Sequence, residues 1–287
     1  MMDDPFVTHR GLLFTVAYEM LGSATDAEDL VQETWLRWAN VDKAEVRDPR
    51  AYLVRIVTRQ ALNRLRTVSR RREDYVGEWL PEPLLTGPDV ADDAEFAENV
   101  SIALLTVLET LGPIERAVFV LHEVFETPYD EVAQVVGKSP AAVRQIAHRA
   151  RDHVAARRPR MQVDRAQQEI TLEKFMAAVA SGEMQGLVEV LAPEVVLIAD
   201  GGGLVPAARR PLVGAERVAA FLARVADLSD LVATTASFNG MPSARFEVGG
   251  AVTAVSLVIE GDRITRIYAM RNPSKLGWLE EVAELRR

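Results

Sequence analysis

TPYDEVAQVVGKSPAAVRQIAHRARDHV, Thr127 to Val154, is the stretch on which the reading of this chain turns. Its apolar positions recur at three- and four-residue spacing on both sides of a break at residues 137–139. That is the pattern of a helix, a three-residue turn and a second helix. Thr127 is placed to cap the first helix, with Pro128 at its first position and Asp130 and Glu131 in its first turn. Gly137 suits a left-handed helix end, and Ser139 followed by Pro140 opens the next helix. Val132, Ala133 and Val136 then face Val143, Ile146, Ala147 and Ala150, which leaves Arg144, Gln145, His148, Arg149 and Arg151 outward. A helix-turn-helix with a basic second helix suits the DNA major groove, where Arg and Gln reach base edges and phosphates. An ordinary αα-hairpin is the bland alternative.

The charge map widens the picture. The net charge is −9 over 287 residues, but it is unevenly spread. Residues 50–72 hold eight arginines and no acid, and residues 139–160 hold six arginines against Asp152. Between them, residues 76–112 hold eight acids and neither Lys nor Arg. Arginine dominates both cationic islands, which suits forked contacts to phosphate and guanine, although an arginine-rich helix face is also often merely solvated.

Upstream, residues 6–75 read as consecutive helices. DAEDLVQETWLRWA, 26–39, sets Leu30, Val31, Trp35, Leu36 and Trp38 at helical spacing, with Asp26 near the start where it can cap or complement the dipole. After a break at Pro49, Leu53, Ile56, Val57, Ala61 and Leu65 form a buried stripe, and Arg55, Arg59, Asn63 and Arg66 align outside. Residues 76–99 are a linker by composition, yet WLPEPLL is too apolar for a free tether and reads as a segment that docks.

Downstream the pattern changes. Helical stretches at 165–181 and 184–191 lead into the strand-like VVLIAD, then the helix AERVAAFLARVADL, then strand patterns joined by turns such as EGDR. SKLGWLEEVAELRR, 274–287, is helix-like. Together these predict an α+β domain.

Composition excludes several chemistries. There is no cysteine, so disulfides and thiolate metal sites are absent, and the four histidines (His9, His122, His148, His153) form no ligand pair. No metal and no cofactor is expected. No apolar run is long enough to cross a membrane and the acidic start does not resemble a signal peptide, so the cytoplasm is the expected location. The extension after residue 160 lacks histidine, and its acid/base candidates Asp200, Glu194, Glu247, Asp262 and Tyr268 form no recognisable pair, so no catalysis is expected. ADGGGLVPA, 199–207, does not run into a helix or a lysine as a phosphate cradle does. It reads as a close-approach turn, an interdomain latch that Leu204 makes more apolar.

These residues resemble bacterial sigma factors of the extracytoplasmic-function type. AEDLVQETWLRW matches their domain 2 helix that holds the RNA polymerase clamp, and LGPIERAVFVLHEVFETPYDEVAQVVGKSPAAVRQIAHRAR follows their domain 4 pattern. WLPEP, DGGG and NPSKL (272–276) further resemble the subgroup carrying a fused SnoaL-like domain, a cone of the nuclear-transport-factor-2-like kind. The resemblance implies a multidomain chain of two all-α sigma domains followed by an α+β cone. Its boundaries are domain 2 at 1–75, an acidic linker at 76–100, domain 4 at 101–160 and the SnoaL-like domain at 163–287.

It also implies roles. Asp29, Gln32, Glu33 and Leu36 contact core RNA polymerase; Arg55, Arg59, Asn63 and Arg66 meet the −10 element of promoter DNA. Ser139 and Ala141, with Arg144, Gln145, His148, Arg149 and Arg151, meet the −35 element. Trp79, Leu80, Pro81, Glu82, Pro83, Asp200, Gly201, Gly202, Gly203, Asn272, Pro273, Lys275 and Leu276 make regulatory contacts between domains. The family's glycine motif continues with lysine where this chain has Leu204. The expected partners are core polymerase and promoter DNA, with a small-molecule ligand possible in the cone and no separate anti-sigma factor required. A helix-turn-helix regulator with a C-terminal ligand sensor is the alternative, and it leaves residues 6–75 without a role.

Overall fold

The computed structural model describes residues 4–73, 75–159, 163–226 and 230–287, without the side chains of 68–73 and 225–226. α1 (Pro5–Leu21) starts at Asp4, whose carboxylate accepts from the Phe6 amide at 2.9 Å, and ends at Gly22 with φ of 65°. α2 (Ala24–Ala39) begins two residues before the expected Asp26. Ser23 is its cap, accepting from Asp26 N at 3.1 Å, and Asp26 serves the first turn instead. α3 (Pro49–Glu73) follows a single 3-10 turn, Lys43–Glu45. Its Leu53, Val57, Ala61 and Leu65 are buried as their spacing predicts, while Ile56 is half-buried.

The acidic linker is ordered. Beyond an extended stretch it forms α4 (Pro88–Asp92) and α5 (Ala94–Val100), the latter capped by Asp93. α6 (Ile102–Leu108), α7 (Pro113–Phe119) and a π-helical turn, Val120–Val124, lead to α8 (Tyr129–Val136) and α9 (Pro140–Ala155). The predicted helix-turn-helix is present, with Gly137 at φ 68° and Ser139 accepting from Ala142 N at 3.2 Å. Two details differ. Pro128 rather than Thr127 holds the α8 cap position and no side chain caps it, while Thr127 N donates to Leu121 O and so belongs to the preceding turn. Val135, not Val136, completes the buried stripe.

The described residues form two compact units. The first gathers residues 4–73 with Leu104–Arg158 and Glu284–Arg287. α1 is its centre, apolar on nearly every face and buried accordingly, with α2, α3 and the π turn packed on it.

The second unit holds Tyr75–Ala103 and the described part of 159–283. α10 (Arg165–Ser181) and α11 (Met184–Val190) precede β1 (Leu191–Asp200) and β2 (Leu212–Val213); α12 (Ala215–Ala226) precedes β3 (Val232–Phe238), β4 (Met241–Val248), β5 (Ala251–Glu260) and β6 (Arg263–Met270). The sheet order is β2-β1-β6-β5-β4-β3, antiparallel throughout except for the parallel β1–β6 pair. This is the expected α+β layout.

Side chains alternate between two cores. Val195, Leu197, Val255, Leu257, Ile267 and Ala269 face α10, α11 and α12. On the opposite face Ala254, Val258, Tyr268 and Met270 meet Leu80, Ile102 and Phe238. The linker therefore supplies the second cover of the sheet, which explains a β1 run apolar on both faces.

The helix expected over 274–287 does not form beyond the 3-10 turn Pro273–Lys275. Its backbone groups bond elsewhere: Trp278 O accepts from Leu85 N (3.2 Å), Ala283 N donates to Leu85 O (2.8 Å), and Arg286 N donates to Thr15 Oγ1 (2.9 Å). These tertiary bonds outweigh local helix propensity.

Candidate regulatory site and nucleic-acid interface

In the second unit, three sequence motifs converge on one carboxylate. Asp200 ends β1, entirely buried. Its Oδ2 accepts from Leu80 N at 2.9 Å and from Lys275 Nζ at 2.7 Å. Its Oδ1 accepts from Tyr75 OH at 2.6 Å and from Gly202 N at 3.0 Å. Lys275 also donates to Leu80 O at 2.7 Å, and its ammonium lies 4.0 Å from the Trp79 ring centre and 4.9 Å from that of Tyr75. A buried charge needs a partner and satisfied lone pairs, and here both are present. Burial, and then the bond to Asp200, push the Tyr75 hydroxyl well above its ordinary pKa, so it remains a donor.

The surrounding residues fix this geometry. Asn272 caps the Pro273–Lys275 turn, its Oδ1 accepting from Ser274 N at 3.1 Å, and its Nδ2 donates to Tyr75 OH at 2.8 Å. Gly202 adopts φ of 60°, and a Cβ there would stand 2.3 Å from Asn272 Nδ2. One on Gly203, at φ 72°, would stand 3.0 Å from Val76 Cβ. Gly201 turns tightly against Val205 O. Pro81, Glu82 and Pro83 are buried, and Leu276 packs beside Leu80. The close approach expected of the glycines is therefore present, with the linker as the segment approached. Leu204 does not contribute: it is 68% exposed, and Lys275 supplies the cation at Asp200.

A second clasp holds the far end of the linker. At the β3–β4 turn, Asn239 takes φ of 53° and Gly240 φ of 74°. Asn239 Oδ1 accepts from Leu84 N at 3.0 Å, its backbone N donates to Leu84 O at 2.9 Å, and its Nδ2 donates to Val100 O at 2.9 Å. Thr86 Oγ1 accepts from Gly240 N at 2.9 Å. Sequence reasoning missed Tyr75, Thr86 and Asn239; the Asn-Gly pair between two strand patterns was the available signal for the last.

The cone's interior holds a cavity of about 80 Å³, lined by Phe175, Leu197, Phe221, Phe246 and Val255 with Arg271 at its polar end. Asp200 is engaged by Tyr75, Leu80 and Lys275, and Tyr268 is buried, which raises its pKa. Among the described residues no group of His, Asp or Glu is arranged for a metal, and no helix is long and apolar enough to cross a membrane.

In the first unit, Ala141, Arg144, Gln145, His148, Arg149 and Arg151 lie exposed on α9, with Ser139 at its start. Arg151 is engaged by Glu123 at 2.8 and 3.1 Å, and that hydrogen-bonded pairing raises its pKa; His148 Nδ1 lies 2.9 Å from Asp152. On α3, Arg59, Asn63 and Arg66 are exposed, and Arg55 is half-buried over the Tyr52 ring at 5.3 Å. Arg59 donates to Gln134 O at 2.8 Å and Val135 O at 3.3 Å, the carbonyl end of α8. Arg59 thus joins α3 to α8, the first helix of the helix-turn-helix. A cleft of about 460 Å³ lies beside this contact, lined by Arg47, Arg50, Arg55, Phe125 and Gln134 among others.

On α2, Asp29, Gln32, Glu33 and Leu36 share the exposed side, and Glu33 accepts from Gln60 Nε2 at 2.8 Å. Trp35 and Leu36 are 40% and 63% exposed, while Trp38 is buried and donates to Asp4 at 2.8 Å.

The pattern of Sigma-70 region 2 matches residues 6–71, and that of Sigma-70 region 4 matches 101–154. The ECF RNA polymerase sigma factor SigJ of Mycobacterium tuberculosis is 42% identical over 222 residues, covering 76% of this chain and 70% of the relative. An ECF sigma factor of the same species designated SigI is 34% identical over 273 residues, 93% and 92% of the two chains. The crystal structure of the M. tuberculosis extracytoplasmic function sigma factor SigJ superposes with a TM-score of 0.77 at 35% identity, over 94% of this chain and 96% of that one. The region 2 match gives the first three helices the role that a plain helix-turn-helix regulator leaves empty. The chain belongs to the extracytoplasmic-function sigma factors of RNA polymerase, non-enzymatic proteins that direct promoter-specific transcription initiation.

Proposed function

We propose that the α+β domain regulates this sigma factor from within the chain by holding the linker between regions 2 and 4 in a docked path. The observation that carries this reading is the buried Asp200 carboxylate, which accepts from Leu80 N of the linker while it pairs with Lys275. A linker bound at Leu80 and Leu84 is unavailable to span the distance between two promoter elements. Within the other unit Arg59, whose role is at the −10 element, is occupied by the end of α8.

Undocking frees both. α9 then meets the −35 element through Ser139, Ala141, Arg144, Gln145, His148, Arg149 and Arg151. α3 meets the −10 element through Arg55, Arg59, Asn63 and Arg66, and the Asp29, Gln32, Glu33 and Leu36 side of α2 meets core polymerase. In this reading the protein works beside polymerase in the cytoplasm and needs no separate anti-sigma factor. A cavity of about 80 Å³ is roughly half the ~150 Å³ that holds benzene, so a larger effector requires the lining to rearrange.

Run-off transcription with core polymerase tests the reading. The full chain carrying Asp200→Asn, with folding verified, is compared with the unaltered chain. An output change of about fivefold or more is expected, the scale of ordinary intramolecular coupling. Unchanged output from a folded variant with an undocked linker sinks it.

A further inference from the structure

Residues Glu284–Arg287 belong to the first unit. Leu285 is buried, and Arg286 N donates to Thr15 Oγ1 at 2.9 Å. Thr15 is itself fully buried, its hydroxyl donating to Gly11 O at 2.8 Å while accepting from Arg286. Gly11 gives an independent sign. It lies inside α1 with no positive φ to explain it, where glycine costs roughly 1 kcal/mol against alanine. A Cβ at this position would stand 2.8 Å from Arg286 Cγ and 3.2 Å from Glu284 O. The helix has given up a side chain where the peptide crosses it, and it offers a hydroxyl one turn later to the peptide's backbone.

We infer that the Gly11–Thr15 face of α1 is a docking surface whose occupant is the chain's own ELRR segment, Glu284–Arg287, and that occupancy of this seat restrains the sigma unit. α1 is the helix on which α2, α3 and the π turn of region 4 all pack, so a ligand on it acts on both regions at once. This inference rests on the regulatory reading above, and it assigns the sigma-side receptor for that regulation.

The test is a double-mutant cycle in run-off transcription and amide exchange, with Gly11→Ala, deletion of 284–287, and both together. Gly11→Ala suits a bare helix and clashes only with the seated peptide. Each single change is expected to raise exchange of the α1 amides around Thr15 and to shift transcription by about fivefold or more. The double variant is expected to add nothing further. A labelled EVAELRR peptide (281–287) is expected to bind the deleted chain, and to bind neither the intact chain nor the deleted chain carrying Gly11→Ala. Additive effects, unaltered α1 exchange, or no peptide binding by a folded deletion variant each overturn the docking surface. If these fail while Asp200→Asn still changes transcription, regulation through the linker stands and only the ELRR seat is lost.

Discussion

The linker seat and the seam between regions 2 and 4 both bury charge, and they do so differently. At the seat, Asp200 accepts from four donors and its cationic partner Lys275 is bonded to both the carboxylate and Leu80 O. At the seam, Arg116 of α7 donates to Glu19 O at 2.9 Å and pairs with Glu109, but its Nη2 and both Glu19 carboxylate oxygens are buried without a hydrogen-bond partner. Burial raises the Glu19 pKa well above its ordinary value and depresses Arg116 to about 9. A fully satisfied polar cluster specifies one arrangement, whereas unpartnered buried groups cost stability.

The largest effect is expected from breaking the seat. Asp200→Ala strands a buried ammonium, a phenol and the Leu80 amide, at a cost of about 3–5 kcal/mol. Urea unfolding and proteolysis at 75–103 measure it; a variant as stable and as protected as the parent shows that the node is not what holds the linker.

The seam carries a pH signature. With a raised folded pKa, Glu19 retains a proton that the unfolded chain releases from its ordinary 4.5 upward. Its stabilising contribution is therefore full below that pH and lost as pH rises through the raised value. Glu19→Gln removes this loss, and the parent is expected to lose more stability than the variant as pH rises from 5 to 8 in denaturant titrations. Parallel pH curves assign the seam's pH dependence to another group.

A smaller change follows Arg59→Ala, which removes two bonds to α8 carbonyls at about 0.5–1.5 kcal/mol each. Energy transfer between labels on α3 and α9 is expected to report a longer mean separation; an unchanged distance leaves the seam to Arg116 alone. Leu204→Lys sets the lower bound. This exposed side chain is expected to shift stability by less than about 0.5 kcal/mol and to leave linker protection unaltered.

Local chemistry explains what was legible in the sequence. Gly137, Ser139 and Pro140 punctuate the helix-turn-helix by backbone rules that need no tertiary partner. The alternation along β5 and β6 likewise placed the sheet. The three motifs around Asp200 were marked as contacts by resemblance, but their common carboxylate was not legible, because Leu80 and Lys275 are 120 and 75 residues away from it. Tyr75 carried no signal, since a tyrosine at the end of a basic helix is unexceptional. The helix expected over 274–287 failed for the same reason in reverse: Leu85 and Thr15 take the backbone groups that helix formation requires. Trp35 and Leu36 have the spacing of a core stripe yet face outward, and periodicity alone does not distinguish a core from a partner's footprint.

The linker's double duty as cover of the β-sheet has a consequence in time. Its Leu80 leaves the ribosome well before β1, β3, β5 and β6, the strands whose side chains pack with it, have been made. At about 5–20 residues per second, the stretch from α6 to the end of β6 takes roughly ten to thirty seconds to synthesise. Throughout most of that interval regions 2 and 4 both exist and the sheet on which their connection packs does not. Each newly made molecule therefore carries an uncovered linker until its sheet is complete.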